Sequence, residues 1–229
     1  MSEFESALYT ASVWVIPVLL AITLHEAAHG YVALKLGDDT ALSAGRVTFN
    51  PFKHIDRFGT ILLPALLLLV KSPFLFGYAK PVPVNFSRLG NPRRDMIWVA
   101  AAGPATNLAL ATVSALLLHL IVLFPPPAAA WIGENLRNSL IINVVLAVFN
   151  MLPLPPLDGG RVAVGLLPDM LAFRLARLER WGLFIIIGAL FVLPYLGGRL
   201  GVNLEIFPWL IGAPVNFLIG VIATLTGHG

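Results

Sequence analysis

Three polar residues in an otherwise apolar stretch have the spacing of a metal site. His25 and His29 are four positions apart in the run from Thr23 to Gly30, so on a helix both imidazoles lie on one face. Two neutral histidines suit zinc, which makes water a nucleophile near neutral pH. Glu26 lies beside the pair, where a carboxylate could take a proton from water and pass it to a leaving amine. The run therefore predicts a zinc hydrolase site, although a pattern with three fixed positions also arises by chance.

The surroundings of the three residues favour the metal site over chance. Apolar residues 16–24 precede the run and apolar residues 31–34 follow it, so His25, Glu26 and His29 lie at membrane depth. Ionisable groups are costly at that depth and usually have a function there.

The composition indicates a polytopic membrane protein. Of the 229 residues, 58% are hydrophobic and only 12% are charged, and the mean hydropathy is +0.85, whereas ordinary soluble domains have about 25% charged residues. We expect one membrane domain over residues 1–229. The absence of cysteine excludes disulfides and thiolate ligands. The N-terminus lacks the basic region of a signal peptide, so we expect the first apolar helix to remain in the mature protein.

The apolar runs predict an all-α fold with about five full transmembrane helices. These runs lie at about residues 7–36, 96–124, 139–152, 181–196 and 204–226. A shorter run at 61–70 has ten residues and contains Pro64, which gives about 15 Å of helix, half of a hydrocarbon core. Prolines 81 and 83 make residues 77–85 an extended loop. We expect a catalytic core at about 7–160, an interfacial helix at 161–180 and two C-terminal spans at 181–226.

The basic residues predict the orientation of the chain in the cell membrane. Segments 35–57, 71–94 and 161–180 contain 13 of the 15 lysines and arginines, which places all three on the cytoplasmic side. The N-terminus is then outside, and the metal site is nearer the cytoplasmic face. Segment 59–79 must enter and leave on one side, so we predict that it is re-entrant. Such backbone persists at membrane depth where it is buried in protein or lines a wet cavity, which a membrane hydrolase needs.

A further carboxylate is predicted near the two histidines. The prolines at 153–156 end a helix and hold the chain extended, which places Asp158 at membrane depth, and Gly159 and Gly160 permit close backbone approach. Asp158 could instead cap the helix that follows it. Because Asp158 and Glu26 are the carboxylates predicted near the middle of the membrane, their presence beside two histidines indicates a metal. His119, near the other end of its span, is better explained as a helix-packing residue.

Taken together, these motifs resemble those of the site-2 protease family, the zinc intramembrane metalloproteases. That family pairs a transmembrane His-Glu-x-x-His helix with a later Asn-x-x-Pro-x-Pro-x-x-Asp-Gly segment, and residues 25–29 and 150–159 match every fixed position. Residues 103–107 also resemble its Gly-x-x-x-Asn element. The loops at 45–51 and 80–84 resemble those of its compact prokaryotic branch, which has no PDZ or CBS domain.

The resemblance implies the roles of individual residues. By this resemblance His25, His29 and Asp158 bind one zinc ion, and Glu26 is the general base and acid. Asn107 and Asn150 are expected to support the site or the substrate. The extended stretch could pair with an unwound substrate by strand addition, through one usable edge because of its prolines, or it could be a loop that lines the cavity. The residues of this stretch that we single out are Gly77, Pro81, Val82 and Pro83.

The resemblance also implies the activity. We expect an endopeptidase that hydrolyses peptide bonds in or near the transmembrane segments of single-span membrane proteins within the lipid bilayer, as in regulated intramembrane proteolysis. The alternative is a non-catalytic membrane metal carrier or a pseudoprotease scaffold. A carrier would need several ionisable positions along a path, and a pseudoprotease would be expected to lack Glu26. No nucleic-acid partner is expected, and the sequence leaves the substrate and the oligomeric state open.

Overall fold

The protein is a bundle of long apolar helices. The computed structural model describes residues 2–63, 66, 69, 79–204 and 206–229. Within these ranges there is no β-strand, and five helices are long and apolar enough to cross a membrane. The prediction of an all-α polytopic membrane protein with about five membrane-spanning helices is therefore confirmed. The five candidate spans are Leu8–Lys35, Pro92–Leu118, Pro126–Asn150, Glu179–Leu200 and Pro208–Leu225.

The first helix, α1, spans Glu3–Lys35 and carries the His-Glu-x-x-His run. It begins with a capping box in which the Ser2 side chain accepts from the Glu5 amide and the Glu5 side chain accepts from the Ser2 amide. It ends at the predicted place, because Gly37 has a φ of 107°, a conformation that glycine adopts without a steric penalty. Its 33 residues correspond to about 50 Å of helix, longer than a hydrocarbon core.

Two further long helices, α3 (Pro92–Leu118) and α4 (Pro126–Asn150), pack against α1 and against each other. Between α1 and α3 lies a short helix, α2 (Thr40–Ser43). The buried core of this bundle contains fully buried alanines, and small residues let helices approach closely in a membrane. They are Ala21, Ala27, Ala33, Ala111 and Ala115.

Helix α4 begins well before the predicted start at about residue 139. Its first turns are more polar than a lipid-facing helix would be, and two of their side chains bind α1. The Trp131 Nε1–H donates to Ser12 Oγ at 2.9 Å, and Asn138 Nδ2 donates to the Val13 carbonyl at 3.0 Å. Pairing across the helix interface thus allows polar residues within a span that hydropathy alone would shorten.

The chain between α4 and the last helix forms several segments. They are α5 (Asp158–Leu166), α6 (Asp169–Ala176), α7 (Glu179–Ile187), a π-helical turn (Gly188–Val192), α8 (Leu193–Leu200) and finally α9 (Ile206–Leu225). The single helix expected over 161–180 is therefore divided, because Pro168 cannot continue α5 and instead precedes α6. Helix α5 packs closely on α3, since a Cβ added at Gly165 would lie 2.4 Å from Ile97 Cγ1.

The loop region between α1 and α3 returns to the end of α1 where it began. The Gly90 N–H donates to the Leu36 carbonyl at 3.0 Å, and the Asn85 N–H donates to Asp38 Oδ2 at 2.6 Å. Both ends of the region therefore lie at the same end of the bundle. The predicted re-entrant segment 59–79 lies largely outside the described residues, so re-entrance stays a prediction.

The last helix, α9, ends beside the C-terminal end of α3. The Nε2 atoms of His119 and His228 lie 2.6 Å from the Thr226 carbonyl and 2.8 Å from the Ala115 carbonyl, and the two rings stack at a centroid distance of 4.1 Å. His119 thus packs between helix ends, as the sequence suggested. Because α1 runs antiparallel to α3, these contacts bring the C-terminal residues to the same end of the bundle as the start of α1.

Candidate metal centre

Two histidines of α1 and one aspartate of α5 meet in the core of the bundle. The Asp158 Oδ2 atom lies 3.1 Å from His25 Nε2 and 3.4 Å from His29 Nε2. All three residues are buried, with 7%, 8% and 7% of their surface exposed for His25, His29 and Asp158. One ligand atom from each lies within 4.8 Å of the others, so these three residues form a group that could hold a metal ion.

The other ring nitrogen of each histidine is held by an acceptor. His29 Nδ1 lies 2.7 Å from the carbonyl oxygen of Val99, which can only accept, so Nδ1 carries the proton. His25 Nδ1 lies 2.5 Å from Asn107 Oδ1. In both rings this leaves Nε2 with its lone pair directed at the centre, because a neutral imidazole has one donor and one acceptor nitrogen. Such outer hydrogen bonds fix the orientation of histidine ligands in metal sites.

Gly103 of α3 makes room for the two imidazoles. A Cβ added at this glycine would lie 2.5 Å from Nε2 of both His25 and His29, closer than van der Waals contact allows. The side-chain-free surface of α3 therefore forms one wall of the site. Pro104 follows directly, and α3 remains helical through it.

The position of Asp158 depends on two glycines that follow it. A Cβ at Gly159 would lie 2.2 Å from the Met151 carbonyl oxygen, and one at Gly160 would lie 2.2 Å from the Pro155 nitrogen. The turn after α4 can thus fold directly onto the first turn of α5, where Asp158 is the first helical residue. The cap of α5 is Leu157 and not Asp158, so the alternative role of Asp158 as the capping residue is excluded.

The donor set fits a zinc ion. Two imidazole lone pairs and a carboxylate oxygen point at one another, and Asp158 Oδ2 is buried without a hydrogen-bond partner among the described residues. Such a grouping of electron-rich atoms is unfavourable unless a cation lies between them. Two histidine nitrogens and one carboxylate oxygen are a protein ligand set of catalytic zinc sites, which keep a fourth position open.

Glu26, the residue after the first histidine, contacts the extended loop. Its Oε2 accepts a hydrogen bond of 2.7 Å from the backbone N–H of Val82. The side chain of Val82 is buried over α1, since a Cβ added at Gly30 would lie 3.3 Å from Val82 Cγ1. The extended loop, residues 79–85, is thus positioned directly beside the metal site, and we call it the strap.

The strap is fixed to the loops at the end of α1 by several polar contacts. The Lys80 N–H donates to the His54 carbonyl at 2.9 Å, and the buried Arg46 guanidinium donates to the Lys80 carbonyl. At the other end, Asp38 accepts from the Asn85 amide and from Thr40. Burial would raise the pKa of Asp38, but these hydrogen bonds and the nearby charge of Arg88 lower it below its ordinary value, so the carboxylate stays ionised and anchors the strap.

The remaining predicted residues lie at different distances from the centre. Asn107 is fully buried and contacts His25 directly. Asn150 lies at the end of α4, and its amide donates to the Leu146 carbonyl at 3.0 Å within its own helix. Pro81 and Pro83 are exposed on the side of the strap opposite to the buried Val82. Gly77 lies outside the described residues.

Sequence reasoning missed three contributions to the site. Gly103 was noted only as part of a motif, and the carbonyl of Val99 has no sequence signal. Asn143, fully buried in α4, contacts Asn107. A signal for it existed, because an amide in the middle of an apolar span needs a partner.

The fold and the site together define a class of protein. It is a helical membrane protein in which the first candidate span supplies two histidines, and a later short helix an aspartate, to one metal-binding group. A glutamate follows the first histidine. Comparison with known proteins finds relatives that are all named as zinc metalloproteases. The chain is 42% identical over 184 residues to a Bacillus subtilis protein named "Putative zinc metalloprotease YwhC", covering 79% of this chain and 80% of the relative.

Two other relatives carry names of the same type. "Putative zinc metalloprotease Rip2" of Mycolicibacterium smegmatis is 32% identical over 179 residues, which cover 78% of this chain and 66% of that protein. "Putative zinc metalloprotease MJ0611" of Methanocaldococcus jannaschii is 45% identical over 64 residues, 28% of this chain and 31% of that protein. No protein-family model matches the chain, and no solved structure matches it either. The chain belongs to this family of zinc metalloproteases, the compact branch of the site-2 proteases that its motifs resemble.

Proposed function

We propose that this chain is an intramembrane zinc endopeptidase that hydrolyses peptide bonds in or near the transmembrane segments of single-span membrane proteins. The observation that carries the proposal is the convergence of His25, His29 and Asp158 at one buried point, with Glu26 on the next residue of the same helix. An intramembrane position of this point is supported by the length and apolar composition of α1, which are sufficient for a helix that crosses a membrane.

In this proposal one zinc ion is held by His25, His29 and Asp158. Bound zinc would supply Lewis acidity, which promotes attack of water on a carbonyl near neutral pH. Glu26 accepts the proton of the attacking water and donates it to the amine that leaves. The Val82 amide restrains one oxygen of Glu26, so the strap sets the direction from which the carboxylate acts.

The proposed position in the cell membrane follows the basic residues of the loops. The N-terminus is outside, and the active site opens toward the cytoplasmic side, where most lysines and arginines lie. The bilayer and single-span membrane proteins are the expected partners. A helical substrate hides its carbonyls in hydrogen bonds, so it must unwind locally before it is cut.

The strap limits how a substrate could add to it as a strand. The N–H groups of Lys80 and Val82 are both used within the protein, by His54 and Glu26. The opposite edge carries Pro81 and Pro83, which have no N–H to donate. Pairing on that edge would therefore use only the carbonyls of the two prolines as acceptors for substrate N–H groups. The alternative role, a loop that lines the cavity, needs no such pairing.

A Glu26→Gln variant tests the proposed function. The purified wild type should bind one zinc ion and cleave a single-span reporter protein in detergent or liposomes. Glu26→Gln removes the proton acceptor but no ligand, so it should retain zinc and lose activity by about 10²–10⁴-fold, the usual contribution of general acid–base catalysis. The His25→Ala variant is the matched control, because it should lose zinc as well as cleavage.

The same experiment separates the alternatives. A pseudoprotease scaffold would bind zinc without cleaving the reporter in the wild type. A metal carrier would move zinc across liposomes without any cleavage. Cleavage by Glu26→Gln within threefold of the wild type would contradict the catalytic role of Glu26.

A further inference from the structure

A chain of buried amides connects the His25 ligand to the middle of α4. Asn107 of α3 accepts from His25 Nδ1 and donates through Nδ2 to Asn143 Oδ1 at 2.7 Å and to the Ala21 carbonyl at 3.3 Å. Asn143 in turn donates to the Ser139 carbonyl at 2.9 Å. Asn107 and Asn143 are 0% and 1% exposed, so neither amide can exchange its partner for bulk water.

The partners fix which way each amide points. The Ser139 and Ala21 carbonyls can only accept, so the Asn143 and Asn107 atoms that face them must be nitrogens. The oxygen of Asn143 therefore faces Asn107, and the oxygen of Asn107 faces His25. As a result His25 must donate from Nδ1, and its Nε2 is left unprotonated for a metal.

The opposite orientation of the Asn107 amide would prevent His25 from binding a metal through Nε2. If its nitrogen faced His25, the ring would have to accept at Nδ1 and carry its proton on Nε2, where the metal should bind. The contact that opposes this rotation most is the 2.7 Å bond to Asn143, since the bond to Ala21 is long. His29 has no such dependence, because a backbone carbonyl holds its Nδ1.

We propose that Asn143 is a positioning residue that sets the tautomer of the His25 ligand through the orientation of Asn107. Asn143 does not contact the metal-binding group itself. The proposal rests on the proposed zinc site, but not on proteolysis. Its test measures zinc affinity in the purified protein without a substrate, so failure of the protease proposal and failure of this one give different results.

The first test is substitution of the acceptor. Asn143→Ala removes the partner of Asn107, and we expect zinc affinity, measured by chelator competition, to fall by about 10–100-fold, the usual cost of losing an outer partner of a metal ligand. The visible spectrum of the Co²⁺-substituted variant should also change. Asn143→Asp, as the neutral acid that this buried position favours, can donate its O–H to the Ser139 carbonyl and still accept from Asn107 through its other oxygen. It should therefore stay within about threefold of the wild type.

Asn138→Ala is the matched control. Asn138 lies on the same helix as Asn143 and also bonds to a neighbouring helix, in its case α1, through its 3.0 Å bond to the Val13 carbonyl. It has no connection to His25 among the described hydrogen bonds. Its loss should leave zinc affinity unchanged. An equal decrease in both alanine variants would mean that any lost amide between the helices weakens the site, which would overturn the proposal.

A change at Asn107 gives a sharper test of the mechanism. Asn107→Asp has acceptor oxygens at both ends of the side chain, so it presents an acceptor to His25 in either orientation. In that background Asn143→Ala should cost no zinc affinity, whereas a merely structural role would cost as much as before. An equal cost in both backgrounds would overturn the proposal.

Variants that do not fold are also informative. Asn143→Leu fills the same space as asparagine with an apolar group that suits a membrane helix, and it should weaken zinc as Asn143→Ala does. If neither apolar variant gives a monodisperse protein while Asn143→Asp does, Asn143 serves folding and the proposal is overturned. The proposal would also be overturned if both apolar variants bound zinc with wild-type affinity.

Discussion

At the scale of single residues, the metal centre depends as much on the absence of a side chain at Gly103 as on the ligands. The imidazoles of His25 and His29 occupy the space where a side chain at Gly103 would be. Their outer nitrogens are satisfied by Val99 and Asn107, so neither ring can rotate without losing a buried hydrogen bond. The site is thus pre-organised by α3 although α3 supplies no ligand.

Gly103→Ala should therefore prevent zinc binding without unfolding the bundle. The added Cβ would lie 2.5 Å from both Nε2 atoms and displace the two ligands. Alanine otherwise favours a helix over glycine by about 0.5–1 kcal/mol, so the fold should persist. Metal analysis of the purified variant should give no bound zinc, and reporter cleavage should be absent.

Gly133→Ala of α4 provides the matched control for this substitution. The nearest atoms to a Cβ at Gly133 lie 3.8 Å away, an ordinary contact, so this variant should retain full zinc and activity. Full zinc occupancy in Gly103→Ala would show that the imidazoles can move aside and still bind zinc. That result would contradict the role of α3 as a rigid wall of the site.

At the scale of elements, the strap connects the loop region to the general base. One strap residue, Val82, contributes both a backbone donor to Glu26 and a side chain that covers Gly30. The anchors at Asp38, Arg46 and His54 fix the strap at the C-terminal end of α1. The position of Glu26 therefore depends on a segment that is more than fifty positions away in the sequence.

Val82→Pro isolates the contribution of the backbone donor. The change removes the N–H that binds Glu26, and proline suits a position between two other prolines in an extended chain. We expect normal zinc content with cleavage reduced about tenfold or more, because a misplaced catalytic group loses its effective concentration. Single-turnover cleavage of the reporter, measured beside metal content, checks this expectation.

Val82→Ala is the companion variant, because it keeps the N–H and removes only the packing over Gly30. It should cleave within about threefold of the wild type, as expected for a change that leaves the catalytic geometry in place. If the alanine variant lost as much activity as the proline variant, the side chain of Val82 and not its amide would be the important group.

At the scale of the whole molecule, the contacts between helix ends decide the path of the chain. The two ends of the 38–90 region meet at the C-terminal end of α1. The C-terminal residues of the chain contact the C-terminal end of α3. Five alternating crossings would put the two termini on opposite faces, whereas these contacts bring both to one end. The path of the C-terminal half thus differs from simple alternation, and the α7–α8 segment is interrupted there by a π-helical turn.

Cysteine labelling tests this path, because the natural chain has no cysteine. Single cysteines at Ser43 and Ser87 should react with an impermeant thiol reagent from the cytoplasmic side only. Cysteines at Ala130 and Gly229 should react from the outer side only. Labelling of Ser43 and Ser87 from opposite sides would make 59–79 a full span, and labelling of Gly229 from the cytoplasmic side would contradict the contact between α9 and the end of α3.

Much of this protein was predictable from its sequence because the determining signals are local. Hydropathy predicted how many helices are long and apolar enough to cross a membrane, since a membrane helix satisfies its backbone within itself. The four-residue spacing of the histidines predicted that they share a face of α1. The proline run and the two glycines around Asp158 indicated a turn that carries a carboxylate to membrane depth.

Tertiary structure alone decided how these parts act on one another. The start of α4 was predicted too late because hydropathy cannot detect that Asn138 binds the backbone of α1. The contact between Val82 and Glu26, the wall formed by Gly103 and the orientation of Asn107 by Asn143 join residues that are far apart in the sequence. Residue types and spacing determine which polar groups a segment offers. Which partner each buried polar group finds depends on how the helices pack, because at membrane depth that partner must come from the protein.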